Sequence, residues 1–392
     1  MRRTAKPLRI VLAGAHGFGR NYLPVLRELV SDGAAVLSGV CDLTPVPARR
    51  LEGLGAPAQS RDLSALVQGT GADVAVIATP LHTHAPLAQA ALAAGAHLML
   101  EKPPVASLAQ FEELRTAAER HRRACQVGFQ SLASEAPAAV RRLIADGAVG
   151  RVRGIGAAAA WSRDTAYYAR APWAGRRRLD DGTDVVDGAL TNPLAHAVAT
   201  ALALDGGDVV SVETELYRAF DIEADDTSCV RVHTRGGVTD GAPVVVAAAL
   251  TAPEQQPPVV TVHGERGRIE LEYTRDRVTL LRDGREPVTT MHRRAVLLRD
   301  LVARLAAAGG HRPPGVLVPL AATLPFMRVL EAVRTAPGPV PVPARDLPGT
   351  DGARRRVVPG VTGLVTEAAA RLALFSELPQ FPQFSGHSGR NP

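Results

Sequence analysis

The chain has 392 residues, of which 46% are hydrophobic and 21% charged, enough for two domains with cores of their own. Its formal net charge of +6 comes from dispersed arginines. They cluster only at Arg176-Arg177-Arg178 and Arg354-Arg355-Arg356, with no interleaved aromatics, which argues against a nucleic-acid partner. Cys41, Cys125 and Cys229 are far apart and odd in number, so neither a disulfide framework nor a metal-ligand spacing is implied. The apolar run Ile10-Val-Leu-Ala13 behind Met1-Arg-Arg-Thr-Ala-Lys6 is too short for a secretion signal, and no stretch is long and apolar enough to span a bilayer. A cytoplasmic protein with no membrane partner is expected.

In chain order, Leu8 to Ala13 reads as a buried strand, Gly14-Ala-His16-Gly17-Phe18-Gly19 as a turn, and Arg20 to about Val30 as a helix. Strand, glycine turn and helix make a dinucleotide site, because glycine permits close backbone approach and a helix start presents free N–H groups to a pyrophosphate. His16 occupies the place of the usual second glycine, and Gly17 beside it is expected to relieve the crowding. A second strand, Ala34 to Cys41, ends in Asp42. A carboxylate there accepts ribose hydroxyls and repels a 2′-phosphate, which favours NAD. Arg49 and Arg50 keep NADP open.

Ala72 to Ala78 is another buried strand, followed by Thr79-Pro80-Leu-His82-Thr-His84 and a helix to about Ala94. His82 and His84 lack a third ligand, so no metal is expected and His84 is given a capping or supporting role. A strand over His97 to Leu100, a helix from Leu108 to Arg122 and a strand from Ala124 to Phe129 complete an alternation that predicts a doubly wound parallel sheet.

The strand at His97 stops at Glu101-Lys102-Pro103-Pro104. Of 45 basic residues only Lys6 and Lys102 are lysine. A chain that otherwise uses arginine keeps here a compact ammonium whose pKa can shift, at the sheet edge where ligands bind.

Gly14 to Gly19, Asp42, Thr79-Pro80 with His84, and Glu101-Lys102-Pro103 together resemble the Gfo/Idh/MocA oxidoreductases, over roughly Leu8 to Pro343. The resemblance implies a Rossmann domain followed by an α+β domain with a large, mostly antiparallel sheet. It also implies that Lys102 lies near nicotinamide and substrate, that Glu101 helps hold the cofactor, and that the protein is a homo-oligomer, dimer or tetramer.

In the second half, Gly150 to Trp161 is rich in small residues but strand-like. Trp161, Arg163, Tyr167, Tyr168, Arg170 and Trp173 follow, a concentration of rings and guanidiniums in a chain with 4% aromatics. Such a segment suits a polyol, whose C–H faces stack on rings and whose hydroxyls need donors. The competing reading is a loop pinned by buried aromatics. Gly188 to His196 is read as opening a helix that runs to about Leu204, with Asn192 and His196 four apart on one face. Family members usually carry Asp then His at this spacing, so the resemblance gives His196 the acid/base role and sets Asn192 in place of the acid.

Strands are expected over Val209 to Phe220, Ser228 to Thr234, Val244 to Leu250, Val259 to His263, Arg268 to Tyr273 and Arg277 to Leu281, with Gly264-Glu-Arg-Gly267 a hairpin connection. Helices over Arg294 to Ala308 and Leu317 to Arg334 are expected to pack on this sheet. The domains are set at 1–130, 131–345 and a remainder at 346–392, comprising a linker, one helix over Val361 to Phe375 and a disordered tail from Glu377. The function expected is hydride transfer between a nicotinamide and a carbinol carbon of a sugar or cyclitol. His196 moves the proton and Lys102 stabilises charge on the oxygen. The alternative is a dinucleotide-binding sensor without turnover.

Overall fold

The computed structural model describes residues 6–308 and 315–381. The chain divides into two compact units, one running to Ala133 and taking in Ala295–Leu324, the other made of Ser134–Arg294 and the chain from Pro325.

The first unit is built on six strands: β1 (Leu8–Ala13), β2 (Ala35–Cys41), β3 (Ala58–Ser60), β4 (Val74–Ile77), β5 (His97–Leu100) and β6 (Cys125–Val127). Their order is β3-β2-β1-β4-β5-β6, and every pairing is parallel. Helices α1 (Leu23–Ser31), α2 (Leu63–Thr70), α3 (His84–Ala93) and α4 (Leu108–Arg120) alternate with them. β4 is buried along its whole length, as its unbroken Val-Ala-Val-Ile run requires of a strand covered on both faces. Strand order reverses between β1 and β4, so the carboxyl ends of these two strands flank the crevice where open α/β sheets take ligands.

Residues 295–324 correct the expected division. The helix Leu297–Ala308 belongs to the first unit and not to the second sheet. The buried Gln126 side chain donates to Leu297 O (2.5 Å) and accepts from Leu317 N (2.9 Å). Val127 N donates to Val318 O at 2.9 Å, and Arg299 reaches Glu28 and Asp32, each at 2.8 Å. The region expected as one helix from Leu317 starts later, after Pro319, with a 3₁₀ turn, Leu320–Thr323, that leads into the helix Leu324–Thr335.

The second unit carries β7 (Val152–Ala160), β8 (Asp208–Arg218), β9 (Thr227–Arg235), β10 (Val244–Ala249), β11 (Val259–Gly264), β12 (Gly267–Glu272), β13 (Arg277–Arg282), β14 (Val288–Met291) and β15 (Val340–Pro341). They form one sheet in the order β14-β13-β12-β11-β7-β10-β9-β8-β15. The pairings are antiparallel except β7 with β10 and β8 with β15. Gly264 pairs with Gly267 across the expected hairpin. The fold is α/β: a parallel sheet in the first unit, a mostly antiparallel one in the second.

Residues beyond 346 are not a linker. Arg345–Pro348 and Arg354–Val357 pair as a two-stranded sheet, and Val361–Arg371 is a helix that ends at Leu372 in the left-handed region. Val361, Leu364, Val365, Ala368, Phe375 and Leu378 share one core with Val245, Ala247 and Ala249 of β10. The expected disordered tail thus begins with packed residues, and its part from 382 lies outside the described residues. The small residues of β7 have their reason here. A Cβ on Gly156 would overlap the Ala369 carbonyl of this helix, so the close approach needs glycine. Gly156→Val should lose about 1–3 kcal/mol, the scale of an overpacked core, and lower the melting temperature by several degrees in a calorimetric scan.

Candidate active site

The turn after β1 is shaped by two glycines. Gly14 has φ +90°, and a Cβ there would lie 2.6 Å from Ala78 O at the end of β4. A Cβ on Gly19 would overlap Gly14 O. Gly17 has open space around its missing Cβ, so no protein atom demands glycine there. Phe18 is exposed and opens a short 3₁₀ helix, Phe18–Tyr22, that leads into α1.

His16 turns toward the end of β2. Its N–H donates to Asp42 Oδ2 (3.2 Å), and Asp42 Oδ1 accepts from Leu43 N (2.8 Å). Arg50 Nη1 sits 3.0 Å from His16 Nδ1, and His16 Nε2 sits 3.2 Å from Thr44 O. A guanidinium only donates and a carbonyl only accepts, so this geometry requires the Nε2–H tautomer. His16, Asp42 and Arg50 are thus one cluster, in which Arg50, marked in the sequence only for NADP, contacts His16.

At the end of β5, Glu101 is buried. Its Oε1 accepts from Tyr22 OH (2.5 Å) and its Oε2 from Lys102 N (3.1 Å). A Cβ on Gly128 would lie 2.8 Å from Oε2, so that glycine makes room for the carboxyl. Burial raises the Glu101 pKa, against the Tyr22 hydrogen bond and the Lys102 charge, which lower it. The half-buried Lys102 is followed by a cis bond to Pro103. His84, at the start of α3, has Nδ1 2.8 Å from Pro103 O and Nε2 2.9 Å from Thr79 O. It ties the Lys102 loop to the Thr79-Pro80 turn, and burial lowers its pKa first of all. Thr83 donates to Thr79 Oγ1 (2.6 Å) and holds the same turn from the other side. Among the described residues no group of three or more His, Cys, Asp or Glu could hold a metal ion.

In the second unit, the aromatic segment assembles around two guanidiniums. Arg163 lies 4.9 Å from the Trp161 ring centroid and 5.1 Å from that of Tyr167. Arg170 lies 3.8 Å from Tyr167 and 4.6 Å from Trp173. Trp161, Arg163, Tyr167 and Trp173 are therefore brought together, all four half-buried. Tyr168 does the pinning: it packs on Phe220 with ring centroids 4.8 Å apart. Arg170 also reaches Asp187 at 3.0 Å, and Asp187 accepts from Asn192 Nδ2 at 2.5 Å.

Asn192 precedes the helix Ala195–Asp205 and is not on its face. The shared-face expectation fails because the residues at 191–194 form a turn, with Asn192 N bonded to Gly188 O (3.1 Å). Nor does Asn192 cap the helix, whose N-cap is Leu194. His196 lies in the first helical turn, half-buried, its ring 6.4 Å from that of Tyr273 and near parallel to it. Asp187 and Arg170 were missed as site residues. Arg170 had a signal, since it sits among the rings; Asp187 had none in a Val-Val-Asp-Gly context.

Residues 8–129 match the family model described as "Oxidoreductase family, NAD-binding Rossmann fold", GFO/IDH/MocA, and residues 138–270 match the GFO/IDH/MocA C-terminal domain. The chain belongs to the GFO/IDH/MocA oxidoreductase family. Its first unit carries the family's NAD-binding Rossmann fold. The chain is similar to a 1-carboxy-3-chloro-3,4-dihydroxycyclohexa-1,5-diene dehydrogenase of Comamonas testosteroni, 27% identical over 206 residues, 52% of this chain and 50% of that enzyme. It is also similar to inositol 2-dehydrogenase 4 of Saccharopolyspora erythraea, 29% identical over 147 residues, 37% of this chain and 43% of that enzyme. The matched stretch thus spans half the length of these relatives or less. The WlbA dehydrogenase of Chromobacterium violaceum, solved with NADH and UDP-GlcNAcA, shares the fold with TM-score 0.68 at 21% identity, over 84% of this chain and 93% of that one.

Beneath the Asn192 turn of this GFO/IDH/MocA chain lie two more buried acids. Asp225 accepts from Ala189 N (3.0 Å) and from Ser228 Oγ. Asp226 accepts from Ala219 N (2.7 Å) and Phe220 N (2.8 Å), and burial pushes its pKa up to about 7. A carboxyl raised in the folded state stabilises below its unfolded pKa near 3.8 and loses that contribution as pH rises through about 7. Melting temperature should therefore fall between about pH 4 and about pH 7, and Asp226→Asn should flatten that slope in melts recorded across the range.

Proposed function

We propose that the protein is an NAD-dependent dehydrogenase that oxidises, or in reverse reduces, a carbinol carbon of a sugar or cyclitol. The observation that carries this is Lys102, the second of only two lysines, anchored through its own backbone N–H to a buried carboxyl at the carboxyl end of β5. The similarity to dehydrogenases of ring polyols, inositol among them, supports the substrate class.

The close Gly14–Gly19 turn suits a pyrophosphate, and Asp42 suits an unphosphorylated ribose, so the residues fit NAD. Gly14, His16, Gly17, Phe18, Gly19, Asp42, Thr79, Pro80, His84 and Glu101 belong to this cofactor region. When bound, the nicotinamide takes up or delivers the hydride. His196 accepts the hydroxyl proton as the alcohol becomes a ketone and returns it in the reverse direction, as a general base and then a general acid. Lys102 donates to the reacting oxygen and stabilises the charge that grows on it. Asn192, Trp161, Arg163, Tyr167 and Trp173 bind the polyol, rings against C–H faces and polar groups against hydroxyls. A homo-oligomer goes with this reading; Val210, Val288 and Met291 stand exposed on the second sheet.

Screening sugars and cyclitols for NADH production tests the proposal; binding of NAD without turnover across the panel would favour the sensor reading. Replacing Lys102 with Met should lower kcat by at least about a hundredfold, the scale of one charge-stabilising donor, and undiminished turnover would remove Lys102 from the mechanism. Asp42→Ala should move the NAD-to-NADP ratio of kcat/KM toward NADP by at least about tenfold, because a carboxylate facing a phosphate at contact distance costs more than that, with Arg50 nearby to favour the phosphate.

A further inference from the structure

We infer that Asp187 is a positioning residue that sets the orientation of the Asn192 amide, and that the pair works only as one carboxylate and one amide. The pairing stands on geometry within the second unit. Its role in turnover rests on the dehydrogenase reading above.

The Asp187 side chain is 2% exposed. Its Oδ2 accepts from Gly175 N (2.7 Å) and Arg170 Nη2 (3.0 Å), and its Oδ1 from Asn192 Nδ2 (2.5 Å) and again from Arg170 Nη2 (3.3 Å). Arg170 and the half-buried Tyr167 and Tyr168 are the titratable groups that face it. Burial raises the Asp187 pKa, while Arg170 first, then Asn192 and the Gly175 N–H, pull it back toward the ionised form. An ionised carboxylate only accepts hydrogen bonds, so the Asn192 NH2 must face it and Oδ1 must point away. The opposite flip would set two acceptors against each other.

The backbone between the two residues is a held turn. Val186 has φ +49°, and its carbonyl accepts from Thr191 Oγ1 (2.5 Å). Gly188 N donates to Thr191 Oγ1 (3.0 Å), and a Cβ on Gly188 would overlap Asp225 Oδ1. This tight turn holds positions 187 and 192 side by side. An aspartate at 192, the residue the family usually has, would put two carboxyl groups in hydrogen-bond contact. They would share a proton, as like charges at that distance cannot both ionise, and Arg170 neutralises one charge only. The chain keeps its anion at 187, under the Tyr167–Arg170–Trp173 stack, and offers an amide oxygen at 192 instead of a second anion.

Four full-length proteins test this with NAD and the alcohol found in the panel: wild type, Asn192→Asp, Asp187→Asn and the double variant Asp187→Asn/Asn192→Asp. Asn192→Asp should lose at least about tenfold in kcat/KM at pH 8, with a new pH dependence from the shared proton. The double variant, which restores one carboxylate and one amide, should recover most of that loss and remove the new pH dependence. Asn192→Asp at or above wild-type activity, or a double variant no better than Asn192→Asp, would overturn the inference.

Melting curves decide the same point without turnover. In Asn192→Asp the pair has a raised folded pKa, so its melting temperature should fall more steeply than wild type as pH rises from about 5 to about 8, and the swap should cancel the difference. A panel with no turnover would sink the dehydrogenase proposal and leave the melting comparison to judge the pair. Parallel melting slopes in all four proteins would refute the pairing.

Discussion

The end of β5 depends on one buried carboxyl. Removing a carboxyl group from water is costly unless hydrogen bonds replace hydration. Glu101 has that replacement from Tyr22 OH, which arrives from the first helical turn, and from Lys102 N, the next residue along. Gly128 yields the space after β6. Three segments far apart in sequence thus meet at one side chain, and the lysine that follows inherits their rigidity. A rigid scaffold beneath a polar head group is what catalytic stabilisation requires, because donors fixed in advance need no reorganisation.

His84 serves the neighbouring turn in a related way. Both its nitrogens lie against carbonyl oxygens, of Thr79 and Pro103, so one ring joins the loops that follow β4 and β5. A neutral ring can donate to only one of them at a time, whereas a charged ring donates to both; burial favours the neutral form and the carbonyls oppose it. The contacts link the Glu-Lys-Pro loop to the Thr-Pro turn.

Much of the first unit was legible because its signals are local. Buried strands read as apolar runs, and Gly14 is a glycine that φ and Ala78 both demand. β3 and α2 escaped notice since Ala58-Gln-Ser60 has no apolar run, and the helix behind it is announced only by the Asp62 cap, which accepts from Ala65 N. The return of 295–324 to the first unit was not legible, because it rests on Gln126, a buried amide whose partners lie about 170 and 190 residues away. The small residues of β7 were visible, but the helix that needs them lies some 200 positions on. The site in the second unit was half legible. Rings advertise themselves by rarity in a chain with 4% aromatics; a buried aspartate that contacts an amide has no periodicity to betray it. The four-residue spacing of Asn192 and His196 misled, because spacing implies a shared face only inside a helix, and the chain turns at Pro193 before the helix begins.

The two units solve the same problem with different partners. In each, a buried carboxylate sits beside a polar residue that the proposed mechanism uses: Glu101 beside Lys102, Asp187 beside Asn192. Glu101 meets a phenol and a backbone N–H; burial raises its pKa, and the Tyr22 hydrogen bond and then the Lys102 charge oppose that rise. Asp187 instead has a guanidinium in direct contact, and that guanidinium lies against two rings. The difference follows from what each must orient. Lys102 brings its own positive charge, so the carboxyl behind it needs no other cation. Asn192 is neutral, so an anion behind it requires a separate countercharge, and Arg170 supplies it. The negative charge beside Asn192 sits on Asp187, five positions earlier and buried, and the facing of the amide follows from that contact.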